Sequence, residues 1–219
     1  MQCPSQIWSI LFRQETKSDS HAKLHETGSP ARTQPTPCSG GQRRPPGYSS
    51  ASRMPTLTWD GQLQFVAGCN ARLCRFEHDK CRSTAQFRWA GQNLAMKSLF
   101  GRWRSVRVNQ MLQEFVRGWF AEHKDANQAI IDRFPAKYKG PDIGHFTQLV
   151  SDRTWKVGCA MVRFSDRAIH YYLVCNYSFI NIVDQPIYVK GKPCSRCQLK
   201  CNRKYPALCK VGEKIASKP

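Results

Sequence analysis

From Trp59 onward the apolar positions fall on a helical period. Trp59, Leu63, Val66, Asn70 and Leu73 step by four and three, with Asn70 the one polar exception, which predicts an amphipathic helix. A second stripe is stronger: Val108, Met111, Leu112, Phe115, Trp119 and Phe120 share one face, with Asn109, Gln113 and Lys124 off it. A third, shorter helix is expected over residues 142–150, after a loop marked by Pro135, Gly140 and Pro141. The period then changes to two. Residues 156–164 and 169–177 both alternate like strands, and the polar link 165–168 predicts a hairpin between them. Residues 92–96 and 187–189 are candidates for further short strands. Helices ahead of an antiparallel hairpin indicate an α+β fold in which helices cover the sheet.

Residues 1–53 have neither period. The stretch 28–52 is dominated by Gly, Pro, Ser, Thr, Arg and Gln and has too little apolar surface to offset the entropy of ordering. The expected organisation is therefore a disordered segment 1–53, a domain 54–190 and a basic, cysteine-rich tail 191–219. No apolar run approaches the ~20 residues of a membrane-spanning helix. The apolar stretch Ile7 to Phe12 is short beside a signal-peptide core of roughly 7–15 residues, and lacks its basic and small-residue flanks. No secretory signal is expected from it.

The cysteines argue for an oxidising compartment nonetheless. There are 11, and a reducing cytosol would have to keep all of them as thiols or metal ligands. In the expected hairpin, Cys159 and Cys175 can face one another at the Cα separation of roughly 4.4–6.8 Å that a disulfide needs. Pairing them closes a loop of about 17 residues, worth about 3 kcal/mol in the chain-entropy model; two buried free thiols are the alternative. The tail cysteines Cys194, Cys197, Cys201 and Cys209 could hold zinc or pair as disulfides.

Formal net charge is +19, from 34 Lys and Arg against 15 Asp and Glu, and residues 190–219 carry nine of the cations against one Glu. That favours non-specific contact with polyanions. No nucleic-acid reader motif is present, so no specific nucleic-acid partner is expected. Neither Gly-x-Ser-x-Gly nor His-Glu-x-x-His occurs, which leaves enzymatic readings weak.

Two peptides carry a family resemblance. Residues 144–150, Gly-His-Phe-Thr-Gln-Leu-Val, leading to Val157-Gly158-Cys159-Ala160, resemble the first signature of the superfamily of cysteine-rich secretory, antigen-five and pathogenesis-related proteins, and residues 172–177, Tyr-Leu-Val-Cys-Asn-Tyr, resemble the second. Leu57-Thr58-Trp59-Asp60, Cys74 to Cys81 and Gly91-Gln92-Asn93-Leu94 fall in the order that the family has. The surroundings of His78 and the tail 204–209 are similar to the insect, dipteran-like, venom allergen branch.

The resemblance implies secretion, a three-layer α-β-α sandwich with an antiparallel sheet, and a surface cleft where two histidines and two acids gather. Its positions fall on His78, His145, Glu122 and Gln92. Gln92 brings no charge, so the resemblance implies at most a weakly bound divalent cation such as zinc, with no cofactor required. The implied function is extracellular binding of a lipid, small amphiphile or protein rather than catalysis. A cation-dependent hydrolase using His78, Glu122 and His145 is the alternative. The resemblance treats Cys197, Cys201 and Cys209 as disulfide partners and pairs Cys74 and Cys81 with upstream cysteines; Cys69 and Cys194 are additional. Asn176-Tyr177-Ser178 is a formal glycosylation sequon, expected to be unused inside a strand. The family's first helix has no counterpart in residues 1–53, so part of the sheet is expected to stay uncovered and the chain to be poorly stable.

Overall fold

The computed structural model describes residues 47–101, 106–213 and 215–216. Most of the expected disordered segment, residues 1–46, lies outside them, as do Cys3 and Cys38. The elements are β1 (Thr58–Trp59), α1 (Gly61–Ala71), β2 (Gly91–Leu99), α2 (Val108–Ala121) with a 3-10 turn Glu122–Lys124, α3 (Gln128–Asp132), α4 (Gly144–Leu149), β3 (Lys156–Ser165) and β4 (Ile169–Tyr177).

The sheet runs in the order β1-β3-β4-β2. The long pairs are antiparallel as expected, but β1 pairs with β3 in parallel, so the sheet is mixed at that edge. Strand alternation sends Ala160, Val162, Tyr172 and Val174 to one face, where they pack with Ala67 and Ala71 of α1. Met161, Tyr171, Leu173 and Tyr177 point to the other face, under Met111, Leu112 and Trp119 of α2. Helix, sheet and helix form the three layers.

α1 starts where Asp60 caps it, its carboxylate accepting from Gln62 N and Leu63 N at 3.0 and 2.9 Å. Its buried face is Leu63, Ala67, Gly68, Asn70 and Ala71, so the expected stripe is displaced. Trp59 belongs to β1, Leu73 is 59% exposed and Asn70 is buried. Asn70 is tolerated inside because it accepts from Tyr172 OH at 2.9 Å and donates to Glu77 O at 3.1 Å. α2 keeps the expected stripe at Met111, Leu112 and Trp119, while Phe120 is exposed. On the sheet face that α1 covers, Met96 is exposed, and so is Phe100 just past the end of β2.

Strand β2 is longer than the expected 92–96, and residues 187–189 form no strand. Those residues instead give single bonds to different partners: Ile187 N to Ile131 O, Ser52 N to Val189 O, and Val189 N to Asp152 Oδ2. Packing starts ahead of Met54. Tyr48 OH donates to His123 O and Tyr188 OH to Ser49 O. The tail is strapped to the same stretch, with Arg196 N on Ser52 O and Cys209 N on Met54 O.

Cys159 and Cys175 are directly opposite in the hairpin, Cα atoms 4.0 Å apart, and are bonded. The tail cysteines pair as Cys194–Cys201 and Cys197–Cys209, which gives the additional Cys194 its partner. Cys74 is disulfide-bonded, but Cys69 and Cys81 are exposed free thiols, contrary to the pairing expected for Cys81. Asn176 is fully buried, which closes the sequon to an oligosaccharide.

Asp152 has an energetic consequence of its own. It is buried, and desolvation pushes its pKa above the ordinary 3.8, against the opposing Val189 N–H and the cations Arg53, Arg153 and Arg196. The native state therefore binds a proton more readily than the unfolded chain. Its contribution to stability is full below the ordinary value and is lost as pH rises through the folded pKa. Thermal melts of the wild type and Asp152→Asn should therefore diverge with pH. Wild-type stability relative to the variant is expected to fall from acid toward neutral pH, and a flat difference would exclude this role.

Candidate functional site

β2 is an edge strand, and its first residues are flanked by the chain segment 72–90 on one side and by α4 on the other. A cavity of about 460 Å³ opens there. His78 and Arg82 line it from the 72–90 segment, Gln92 and Asn93 from β2, and Asp142, Gly144, His145 and Gln148 from the α4 side; Phe134, Ile180 and Asn181 supply the remaining wall.

Each histidine is held by its Nδ1. Gln92 is fixed first: its Nε2 donates to Asp79 Oδ2 at 3.0 Å and to Asn176 Oδ1 at 2.9 Å. Its Oε1 therefore faces His78 Nδ1, 2.8 Å away, and can only accept. His78 consequently carries its proton on Nδ1 and leaves Nε2 as a lone-pair donor. His145 Nδ1 lies 2.5 Å from Glu122 Oε1, a carboxylate oxygen that accepts, so its Nε2 is left available in the same way. The other Glu122 oxygen accepts from Phe146 N at 3.0 Å, in the first turn of α4, where a negative charge is favoured. Trp119 stacks on the His145 ring at 5.8 Å and 15°, and its Nε1 donates to Leu94 O.

Backbone anchors complete the frame. Asn93 Nδ2 donates to His145 O at 3.2 Å and to Tyr177 OH at 3.3 Å, tying α4 to the sheet. Burial pushes the Tyr177 phenol well above its ordinary value, so it stays a neutral partner there. Gln148 Nε2 donates to Phe179 O and Thr154 Oγ1. Gly91 leaves the room that Gln148 occupies, since a Cβ there would meet Gln148 Oε1 at 2.1 Å.

His78 and His145 thus reach the cavity, as does the weaker candidate Gln92. Glu122 stands behind His145 as its orienting partner rather than in the lining. Asp79, Arg82, Asp142 and Asn181 were not singled out by sequence. Asp79 alone had a local signal, lying next to His78 in the peptide that carries the resemblance. Among the described residues, three metal-ligating atoms come within 4.8 Å of one another only at Cys197, Cys209 and Glu213. Cys197 and Cys209 are joined as a disulfide and offer no thiolate, so that group does not fit a metal.

Residues 30–177 match the cysteine-rich secretory protein family. The chain belongs to that family. Its relatives within the family include venom allergen-1 of Aedes albopictus, 46% identical over 78% of this chain and 67% of the relative. Another is the antigen 5 like allergen Cul n 1 of Culicoides nubeculosus, 40% identical over 59% of this chain and 57% of that one. Among solved structures, NaASP2 with Zn2+ superposes with a TM-score of 0.60 at 27% identity, covering 74% of this chain and 79% of that one. BmVAL-1 gives 0.59 at the same identity and coverage. As a family member the chain is venom allergen- and antigen 5-like, with the family's α+β fold. Among its described residues no helix is long and apolar enough to cross a membrane.

Proposed function

We propose that this chain is a secreted binding protein whose cavity beside β2 takes a small extracellular ligand: a lipid, an amphiphile or a segment of a protein partner. A divalent cation such as zinc is held weakly between His78 and His145. The observation that carries the reading is the pair of imidazoles lining one cavity, each with Nδ1 tied and Nε2 available. Second-partner bonds of this kind orient histidine toward a metal. The cavity volume falls within the ~300–1,000 Å³ of small-molecule sites. Zinc bound to NaASP2, a relative by fold, agrees with the cation.

Weak binding follows from the donor count. Gln92 Oε1 is occupied by His78 and both Glu122 oxygens are occupied, and among the described residues no group of three ligating atoms within 4.8 Å of one another includes either histidine, so two imidazoles are left where zinc favours four ligands. Covalent catalysis by a side-chain nucleophile is disfavoured, because among the described residues the cavity lining contains no Ser, Thr or Cys.

Titration calorimetry with zinc alone tests the site. A weak, saturable heat is expected for the wild type and none for the His78→Ala, His145→Ala double variant. Equal affinity in both would move the cation elsewhere. Zinc-dependent turnover of an ester or peptide panel that disappears in His145→Ala would replace the binding reading with the hydrolase.

A further inference from the structure

The tail bears a second surface, built from residues that do not line the cavity. Its exposed cations include Lys192, Lys200, Arg203, Lys204 and Lys210. Among the described residues none of these five makes an ion pair; Lys190, at the tail's start, is the one paired, with Asp132. Glu213, the acid of this tail, neutralises none of them. It is buried, and its two oxygens accept from the backbone N–H of Gln198 and Leu199 at 2.7 and 3.0 Å.

The frame beneath this charge is fixed. Cys201 and Cys209 are bridged antiparallel, and Lys210 N donates to Lys200 O at 2.9 Å, so Lys200 and Lys210 stand opposite each other. Two like charges carried on adjoining backbone stretches repel, and an anion bound between them relieves that repulsion. Two disulfides and the bonds to Ser52 and Met54 hold the arrangement in place. A polyanion could thus dock on cations carried by a preorganised frame at little conformational cost.

We infer that this face binds a sulfated glycosaminoglycan. Sulfate groups along a glycan match several exposed ammonium and guanidinium groups outside any ion pair on one short, cross-linked segment, and a secretory family meets such chains outside the cell. Nucleic acid fits less well. Single strands need aromatic stacking platforms, and the described aromatic of this tail, Tyr205, has the Lys204 ammonium 5.4 Å from its ring centroid.

The test uses the full chain and size-defined heparin oligosaccharides on a biosensor. Wild type should bind, with affinity falling steeply as salt rises. The triple variant Lys200→Ser, Arg203→Ser, Lys210→Ser should bind about tenfold or more weakly and with a shallower salt slope. Arg117→Ser, an exposed cation on α2, should bind as the wild type does. The cation-exchange elution and thermal transition of each variant separate lost contacts from lost fold. Unchanged heparin affinity in a folded triple variant would overturn the inference. So would equal binding to desulfated heparin, or tighter binding to phosphatidylserine vesicles or single-stranded DNA than to heparin. Because none of these residues lines the cavity, loss of zinc binding in the histidine double variant should leave heparin binding intact.

Discussion

Gly158→Ala is expected to destabilise the protein by ~3 kcal/mol or more, toward the upper end of what single substitutions do. Gly158 lies in β3, directly under the first turn of α1. A Cβ added there would stand 2.1 Å from Gln64 N, 2.5 Å from Asp60 O and 2.7 Å from Leu63 C. All three atoms are backbone, so no side chain can swing aside. The start of α1 would have to lift, and with it the bond from Asp60 N to Val157 O at 2.9 Å and the cap that Asp60 forms. Whole domains are stable by roughly 5–15 kcal/mol, so this one methyl group removes a large share. The melting temperature should fall by roughly 10 °C. Gly118→Ala is the control: its Cβ meets nothing within 4 Å in the last turn of α2, and it should gain up to ~0.5–1 kcal/mol from helix propensity. Equal melting temperatures for Gly158→Ala and the wild type would show that α1 does not sit this close to the sheet.

The same contact explains which parts of the fold were legible in the sequence. The β3–β4 hairpin was, because alternation over two strands and a short polar link leave little choice of register, and Cys159 opposite Cys175 agrees with it. α2 was legible because large side chains mark its buried stripe. α1 was legible as a helix but not in its phase. Its inner face is Ala67, Gly68 and Ala71, small residues suited to close approach, and hydropathy reads them as nearly neutral. The larger apolar Phe65 and Leu73 face outward at 67% and 59% exposure. Residues 187–189 misled for the opposite reason. The side chains of Ile187 and Tyr188 fill the core around Ile131 and Phe146 while Val189 is exposed, and the backbone groups of the three find three unrelated partners instead of a ladder.

The candidate site was legible by residue type and not by role. His78 and His145 are separated by 67 positions, and only the resemblance brought them together. Whether a carboxylate faces a cavity or stands behind a histidine depends on a few ångströms of placement, and no spacing rule reports that for Glu122. Gln92 is more informative in the structure than in the sequence. As an amide it donates to Asp79 Oδ2 and Asn176 Oδ1 at once and fixes the tautomer of His78. A carboxylate at the same position would lack both N–H donors and face Asp79 at hydrogen-bond distance.

Removing the central disulfide should separate stability from the site. In the Cys159→Ala, Cys175→Ala variant the unfolded chain regains the freedom of a loop of about 17 residues, which costs about 3 kcal/mol in the chain-entropy model. Some packing is lost as well, because Cys175 is buried among Leu173, Tyr177 and Trp119. Yet the bond joins β3 to β4, while the cavity is built on the far side of β4, from β2, the 72–90 segment and α4. Asn93 is the register partner of Cys175, but that pairing is backbone and survives removal of the sulfur, and Asn93 bonds His145 O and Tyr177 OH through its own side-chain amide. Below its lowered melting temperature the variant should therefore bind zinc as the wild type does, while its denaturant midpoint shifts down and its transition stays cooperative. Peptide mapping of unreduced wild-type protein should recover residues 159 and 175 as one linked pair. Zinc affinity that falls along with stability in the folded variant would mean that the hairpin bond holds the imidazoles in place, and that β4 transmits strain across the sheet to Asn93.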